Sequence, residues 1–404
     1  MKRVQNLTVI LLLVLTLATS LVVVSSFLTP KKEPDLRFLR AVGQDFVNEK
    51  GEKVFLKGIN AGGLFVQEEW MTPVTSKDTI TTLKVLRERF GWEKAESLIE
   101  AYQDAWWQEE DFDHVKELGF NLIRLPFAYF NIEDKNGELT NFKRLDWFID
   151  NCDERDIYVI LDLHGAYGSQ NGKDHSGDTS GVNLFGNKEN EQKTIELWTT
   201  VASRYKDRTI IAGYDLLNEP EGKHGFTDFR QWSFYHKLYK AIRDVDSNHI
   251  LIMESVWETS GLPAPITFNW ENVAYSYHNY GWDKINDFAY QKEFTDKKVG
   301  DYVALREKYE VPLFVGEFTL FSNVESWNYA LNEYEKNNVN YAIWTYKVHT
   351  GGKASSWGIY YGGGEKVDVA SDSYETILAK WSAESTLNSY EYNKLYDNIL
   401  HKGE

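Results

Sequence analysis

From about residue 36 onward, short apolar runs alternate with longer amphipathic stretches. The apolar runs are nearly continuous, which is typical of parallel strands that are buried on both faces. Stretches between them, such as "FKRLDWFIDNCDERD", "KENEQKTIELWTTVASRYKDR" and "FRQWSFYHKLYKAIRDVDS", have helical periodicity. The eight predicted strands cover residues 54–60, 121–126, 157–164, 210–218, 249–255, 273–280, 312–318 and 341–347. Eight such units predict an α/β fold of the (β/α)8 TIM-barrel type.

A doubly wound open sheet is the alternative architecture. It would favour a Gly-rich phosphate turn after the first strand, and "NAGGLF" does not match G-x-G-x-x-G. Residues 74–113 form a long helical excursion between the first two predicted strands. No repeat or second domain is apparent, so we assign residues 37–404 to a single catalytic domain.

The amino terminus has a different pattern. Lys2 and Arg3 precede an apolar stretch that has no charge until Lys31. Its length is close to the roughly 20 apolar residues that span a bilayer. We interpret residues 1–28 as a signal anchor or signal peptide and residues 29–36 as a linker. This predicts an extracellular or cell-surface protein, attached to the membrane through the segment if it is not cleaved.

Composition narrows the range of partners. The chain of 404 residues has 44 basic and 61 acidic residues, a net charge of −17. No basic cluster follows the amino terminus, so nucleic acid is not expected as a partner. The 14 Trp, 24 Tyr and 22 Phe suit both a core and sugar binding, because sugar C–H faces pack on aromatic rings. Cys152 is the only cysteine, which excludes intrachain disulfides and Cys-based metal sites.

In a (β/α)8 barrel the active site lies at the carboxyl ends of the strands. Seven of the eight predicted strands have polar or aromatic residues there. In strand order these residues are Asn60 and Glu68, Arg124, Asp162 and His164, Asn218 and Glu219, His278 and Tyr280, Glu317, and Trp344. Each alone could have a structural role, but their shared position predicts one functional rim.

Glu219 and Glu317 lie at the ends of the fourth and seventh predicted strands, on opposite sides of the barrel mouth. Glycoside hydrolysis uses two such carboxyl groups, one that protonates the leaving oxygen and one that attacks or activates water. One group must remain neutral while the other is ionised. Arg124 and Tyr280 are the candidates to keep Glu317 ionised.

The remaining strand-end residues suit sugar recognition. We expect Asn218 to contact the sugar 2-hydroxyl and Trp344 to form a floor for the sugar ring. His164 and His278 would donate to sugar hydroxyls or orient the acids.

Two other chemistries are less well supported. Asp162, His164, Asp174 and His175 have side chains that can bind a metal, but there is no H-E-x-x-H motif. A serine nucleophile is not indicated either, because no G-x-S-x-G occurs. We therefore predict neither a metal nor a cofactor.

The ordered motifs "GFNLIRLPFAYF", "LDLHG", "LLNEP", "HNY", "GEF" and "IWTYK" resemble those of glycoside hydrolase family 5, the cellulase-type retaining glycosidases. The resemblance runs from about Phe55 to Ile359. It implies Glu219 as the acid/base and Glu317 as the nucleophile. The positions implied as supporting are Arg124, His164, Asn218, His278, Tyr280 and Trp344.

Within that family, "NAGGLFVQEEWMTP" and "DLHGAYGSQNGKDHSG" are similar to segments of the exo-β-1,3-glucanases. This resemblance implies that Glu68 holds the terminal glucose in a closed pocket. The chain departs from that group where two phenylalanines clamp the second sugar, because Lys173 and Asp283 stand near the matching places, with Trp282 adjacent.

The resulting hypothesis is a retaining β-glucoside hydrolase that acts from chain ends on β-1,3-glucan or related β-glucosides. An endo-β-1,4-glucanase of the same family is the nearest alternative. A non-catalytic glucan-binding surface protein is the alternative from another class, but binding would not require two opposed acids and an arginine.

Overall fold

A computed structural model describes residues 38–221, 229–349 and 356–400. The predicted hydrophobic segment 1–28 and linker 29–36 lie outside the described residues. Within the described ranges, we find no helix with the length and apolar character needed to cross a bilayer.

The strands, in chain order, are β1 Arg40–Val42, β2 Asp45–Val47, β3 Lys57–Asn60, β4 Val74–Thr75, β5 Leu122–Ala128, β6 Tyr158–Gly165, β7 Ile211–Asp215, β8 Ile250–Glu254, β9 Val273–Tyr280, β10 Leu313–Thr319, β11 Asn340–Ile343, β12 Lys347–His349, β13 Tyr360–Gly362, β14 Val367–Asp368 and β15 Tyr390–Tyr392. Eight of them close a barrel in the order β10-β11-β3-β5-β6-β7-β8-β9. Every neighbouring pair in it is parallel. The predicted (β/α)8 barrel is confirmed.

The α-helices are α1 Thr79–Phe90, α2 Trp92–Trp106, α3 Glu109–Glu117, α4 Tyr129–Ile132, α5 Lys143–Glu154, α6 Lys188–Tyr205, α7 Phe229–Arg243, α8 Phe288–Tyr309, α9 Val324–Lys336, α10 Tyr374–Ser382, α11 Thr386–Ser389 and α12 Asp397–Leu400. Several begin at a side-chain cap. Asp78, Asn187, Asp287 and Asn323 each accept a hydrogen bond from a backbone N–H in the first turn of the following helix. Such caps satisfy donors that have no partner within the helix.

Two predicted strands ran well past their observed carboxyl ends, and the first predicted strand began before its observed start at Lys57. The fourth ends at Asp215, so Asn218 lies beyond the strand rather than at its last position. The eighth ends at Ile343, and Lys347 begins the separate strand β12. In both cases the apolar sequence continues past the last ladder hydrogen bond, so hydrophobicity alone misplaced the end.

The barrel interior is divided into an apolar layer and a polar layer. Near the amino ends of the strands, Leu122, Ile160, Ile250 and Phe314 belong to one buried cluster, together with Phe46 from the β1–β2 hairpin. Near the carboxyl ends, buried polar side chains replace them. This division places the polar chemistry at one rim.

Candidate active site

The segment after β7 brings an acid to the rim in an uncommon backbone conformation. Leu216 and Leu217 are fully buried, and Asn218 donates its backbone N–H to the carbonyl of Leu163 at 3.0 Å. Glu219 follows with a φ of 42°, in the left-handed region that non-glycine residues seldom adopt. The turn directs this side chain into the barrel mouth.

The second acid, Glu317, lies within β10. The register of β10 against β9 shifts between Val315 and Glu317, so Gly316 occupies an irregularity. A Cβ at Gly316 would lie 2.7 Å from Ser276 Oγ and 3.0 Å from His278 Nε2. Glycine is therefore needed at this position for the His278 ring to pack beside β10.

Both acids open into one cavity of about 510 Å³. One carboxylate oxygen of Glu219, one of Glu317 and a ring nitrogen of His278 all lie within 4.8 Å of one another. Each acid is only 5% exposed. The two carboxyl groups can thus contact the same small group in the cavity.

Glu317 accepts two hydrogen bonds from different sides. Arg124 Nη1 donates to Oε1 at 2.9 Å, and the Tyr280 hydroxyl donates to Oε2 at 2.8 Å. Burial, followed by the charge of Glu317, raises the pKa of Tyr280 well above its ordinary value. Tyr280 therefore remains a donor.

Glu219 is contacted by two histidines. His278 Nδ1 lies 2.7 Å from Oε1, and His175 Nε2 lies 3.3 Å from Oε2. Burial lowers the pKa of His278 to about 3 and that of His175 below its ordinary value. Both rings are therefore neutral near pH 7 and present one N–H and one lone pair each.

Arg124 is fully buried and lies at the centre of the polar layer. Nε donates to Asp215 at 3.0 Å, and Nη2 donates to the Asn218 side-chain oxygen at 2.9 Å. Nη2 also lies 3.1 Å from Asp162 and 3.7 Å from Glu254. One guanidinium cannot neutralise all these acids, and burial raises the pKa of both Asp162 and Asp215 to about 7.

Glu68, Trp344 and His164 form other parts of the wall. Glu68 accepts a hydrogen bond from the Trp70 indole at 2.7 Å, and burial raises the pKa of its carboxyl to about 8. The His164 ring stacks on Trp344 with a centroid distance of 5.6 Å and an interplanar angle of 6°. His164 Nδ1 lies 2.5 Å from Asp162.

The structure brings the nine predicted site residues together in two layers. Arg124 and His278 lie behind the carboxylates and contact them directly. The seven that line the cavity are Glu68, His164, Asn218, Glu219, Tyr280, Glu317 and Trp344.

Sequence reasoning missed several contributors, including Asp215, which accepts a hydrogen bond from Arg124. Trp70, Trp257 and Trp357 line the cavity, and Glu254 lies beneath Glu219. Glu254 is the last residue of β8, the one barrel strand for which no strand-end residue was predicted. The "MESVW" stretch carried the signal for both Glu254 and Trp257.

Of the three residues near the positions of the exo-glucanase clamp, two line the cavity and one does not. Lys173 and Trp282 line the cavity, and Trp282 is 55% exposed at its mouth. Lys173 forms an ion pair with Glu221. Asp283 instead accepts a hydrogen bond from Tyr290 at 3.3 Å.

The four residues considered as metal ligands do not form one group. Asp162 and His164 contact each other, whereas Asp174 and His175 lie near Glu68, with ligand atoms within 4.8 Å of one another. Among the described residues, a hydrogen bond joins His278 to Glu219, and His278 Nδ1 lies 3.4 Å from Glu317 Oε2.

A (β/α)8 barrel with two opposed, differently supported carboxyl groups in a cavity at the carboxyl ends of its strands defines a barrel glycosidase. The model of the family "Cellulase (glycosyl hydrolase family 5)" matches residues 47–350. The protein belongs to glycoside hydrolase family 5.

Two curated relatives differ in how much of their length is matched. A β-xylosidase from Phanerodontia chrysosporium is 27% identical, over 90% of this chain and 82% of that protein. A glucan 1,3-β-glucosidase from Candida oleophila is 30% identical, over 66% of each chain. The chain thus spans just under two thirds of the length of the second relative.

Solved structures have the same fold at low identity. A rutinosidase from Aspergillus niger superposes with a TM-score of 0.63 at 16% identity, over 75% of this chain and 95% of that chain. An endoglucanase from Thermotoga maritima gives a TM-score of 0.52 at 18% identity, over 76% and 92%.

Proposed function

We propose that the protein is a retaining β-glucoside hydrolase that acts from chain ends on β-1,3-glucan or related β-glucosides. The observation that carries the proposal is the convergence of Glu219 and Glu317 on one cavity, with carboxylate oxygens within 4.8 Å. Retaining glycosidases have carboxyl groups about 5–5.5 Å apart, whereas inverting enzymes have a wider separation.

In the first step, Glu317 attacks the anomeric carbon while Glu219 gives its proton to the leaving oxygen. The carbon–oxygen bond to the leaving group breaks and a glycosyl ester forms on Glu317. Arg124 and Tyr280 suit the nucleophile role, because both donate to Glu317 and hold a carboxylate in one orientation.

In the second step, Glu219 takes a proton from water, and the water oxygen attacks the same carbon. The ester bond breaks, so the sugar leaves with its original anomeric configuration and both acids return to their starting states. His278 and His175 contact Glu219, and each neutral ring has one N–H and one lone pair. This suits the acid/base residue, because Glu219 must alternate between its protonated and its ionised form.

Action from chain ends is supported by the position of Glu68. This acid and its partner Trp70 line the same cavity as the catalytic pair, so they can block the path of a continuous chain. The name of the Candida oleophila relative, a glucan 1,3-β-glucosidase, supports the same substrate class. The β-xylosidase relative makes an aryl β-xyloside the comparison substrate.

The nucleophile assignment is tested with E317Q and an aryl β-glucoside. We expect turnover to be abolished while the melting temperature stays near that of the wild type. E335Q, which changes an exposed glutamate on α9, is the matched control and should keep normal activity. Near-normal turnover by E317Q would overturn the assignment.

Retention is tested by following the first product with proton NMR. The β-anomer should appear first, and azide should rescue E219A by giving a β-glycosyl azide. An initial α-anomer would overturn the retaining mechanism.

Product profiling on β-1,3-, β-1,4- and β-1,6-linked oligomers tests the substrate. Release of glucose alone supports action from chain ends, and mixed oligomers would favour an endo-glucanase. Faster cleavage of the aryl β-xyloside than of the aryl β-glucoside would overturn the β-glucoside assignment.

We also propose that residues 1–28 direct the enzyme to the cell surface or the exterior. This proposal is supported by the charge and apolar pattern of that segment. Protease treatment of intact cells expressing the full chain should degrade a surface-anchored form, and a released form should appear in the medium. A form that is found only inside cells and is protected from protease would contradict the proposal.

A further inference from the structure

Glu254 is a further buried carboxyl group at the proposed catalytic centre. It is the last residue of β8 and is fully buried. Its Oε1 accepts the backbone N–H of Glu219 at 2.9 Å. Its Oε2 lies 3.4 Å from His278 Nε2 and 3.7 Å from Arg124 Nη2. Glu254 therefore contacts the acid/base residue through the backbone and faces its histidine partner.

The His278 ring lies between two acids. Nδ1 is 2.7 Å from Glu219 Oε1, and Nε2 faces Glu254 Oε2 at 3.4 Å. Within the described residues, neither His278 Nε2 nor Glu254 Oε2 has a hydrogen-bond partner, although both atoms are buried. Buried polar atoms rarely remain unpaired, so a small approach of these two atoms would satisfy both.

We propose that Glu254 is a positioning residue that shares one proton with Glu219 through the His278 ring. The inference rests on the proposed function, since it assumes that Glu219 is the acid/base.

The proton can occupy two arrangements. In one, Glu219 is protonated and donates to Nδ1, while Nε2–H donates to an ionised Glu254. In the other, Glu254 is protonated and donates to Nε2, while Nδ1–H donates to an ionised Glu219. Moving from the second to the first shifts one proton from Glu254 to Nε2 and one from Nδ1 to Glu219. The ring stays neutral in both, and the first arrangement is the one that can protonate a leaving group.

The surroundings are compatible with one shared proton. Burial raises the pKa of Glu254 well above its ordinary value, with the negative charge of Asp215 adding to the effect and Arg124 opposing it. Burial holds His278 neutral. The other titratable or charged groups facing this pair are Asp162, His164, His175, Glu317 and Tyr235.

Glu254 also supports the backbone of Glu219. A non-glycine residue in the left-handed region is strained, and the hydrogen bond from the Glu219 N–H to Glu254 holds that conformation. Glu254 is fixed in turn by Tyr235, whose hydroxyl donates to the Glu254 carbonyl at 3.0 Å.

E254Q tests the inference, because only one orientation of the new amide fits. Its oxygen must face the Glu219 N–H, since an NH2 group there would oppose another donor. The NH2 group then faces Nε2 and donates to it, which places the ring proton on Nδ1. Nδ1–H in turn donates to ionised Glu219 and favours that form.

We therefore expect the basic limb of the kcat/KM profile to move to lower pH by about one unit in E254Q. At a pH above that limb, kcat/KM should fall about tenfold for β-glucosides with poor leaving groups. Dinitrophenyl β-glucoside should be affected much less, since its leaving group needs no proton.

D246N is the matched control. Like Glu254, Asp246 is buried, accepts hydrogen bonds from backbone N–H groups and contacts a histidine, His249. Asp246 and His249 do not line the cavity. Its profile should keep the wild-type basic limb. Equal losses in E254Q for all leaving groups, with an unmoved basic limb, would overturn the inference and leave the proposed function intact.

A second measurement does not depend on turnover. The 15N shifts of the His278 ring should show a mixture of the neutral Nδ1–H and Nε2–H tautomers in the wild type, with a ratio that changes with pH, and the Nδ1–H tautomer alone in E254Q. The same tautomer in both proteins would overturn the shared proton. Loss of azide rescue in E219A would instead count against the proposed function.

Discussion

Removal of the Tyr280 hydroxyl isolates one of the two hydrogen bonds that hold the proposed nucleophile. The hydroxyl donates to Glu317 Oε2 at 2.8 Å, while Arg124 holds Oε1 at 2.9 Å. In Y280F the carboxylate keeps Arg124 but can rotate about that single contact. The aromatic ring retains its neighbours Trp282 and Trp357, at centroid distances of 5.2 Å and 5.6 Å.

The expected magnitude follows from the charge of the acceptor. A hydrogen bond to a charged group contributes about 1.5–3 kcal/mol. Since about 1.4 kcal/mol corresponds to a factor of ten, its full loss would reduce kcat/KM by about 10- to 150-fold. We expect the lower end of that range, because Arg124 remains. Glu317 should also bind a proton more readily, which moves the acidic limb of the profile to higher pH by about one unit.

The assay is kcat/KM for an aryl β-glucoside across the pH range, with Y277F as the control. Tyr277 lies on the same strand, and its buried hydroxyl has no hydrogen-bond partner among the described residues. Y277F should therefore change neither activity nor profile. Activity of Y280F within twofold of the wild type, with an unmoved acidic limb, would refute the reasoning.

Two further predictions concern buried ionisable groups. Burial raises the pKa of Glu68 to about 8, so the neutral amide of E68Q resembles the neutral carboxyl that is present at pH 6. The KM of E68Q for an aryl β-glucoside should therefore match that of the wild type at pH 6 and diverge from it only above about pH 8. A large increase in KM at pH 6 would contradict this. Burial lowers the pKa of Lys347 to about 8, so between that value and its ordinary 10.5 the unfolded chain binds more protons and the free energy of unfolding rises with pH. K347M should lack this rise in denaturant titrations, and an unchanged pH dependence would show that Lys347 does not cause it.

Much of the site could be predicted from strand ends. Asn218, Glu219, Glu317 and Trp344 were found because parallel strands in a barrel bring their carboxyl ends to one rim. Arg124 and Tyr280 were also expected beside Glu317, and both donate a hydrogen bond to it. The contact of Arg124 with Asp215 was not predicted, because it joins residues 91 positions apart and no local pattern specifies it.

The histidines show the limit of residue type as a guide. Both were expected to donate to sugar hydroxyls or orient the acids. In the structure His278 contacts Glu219, whereas His164 pairs with Asp162 and stacks on Trp344. The position of His278 also requires Gly316, which leaves room for the ring beside β10.

By itself the sequence determined the barrel, the family and the rim on which the chemistry lies, because hydrophobic periodicity and strand-end composition are local properties. Only the tertiary structure decided that the eighth predicted strand stops at Ile343 and that Glu254 lies beneath Glu219. These features depend on barrel closure, which brings together side chains from segments far apart in the chain.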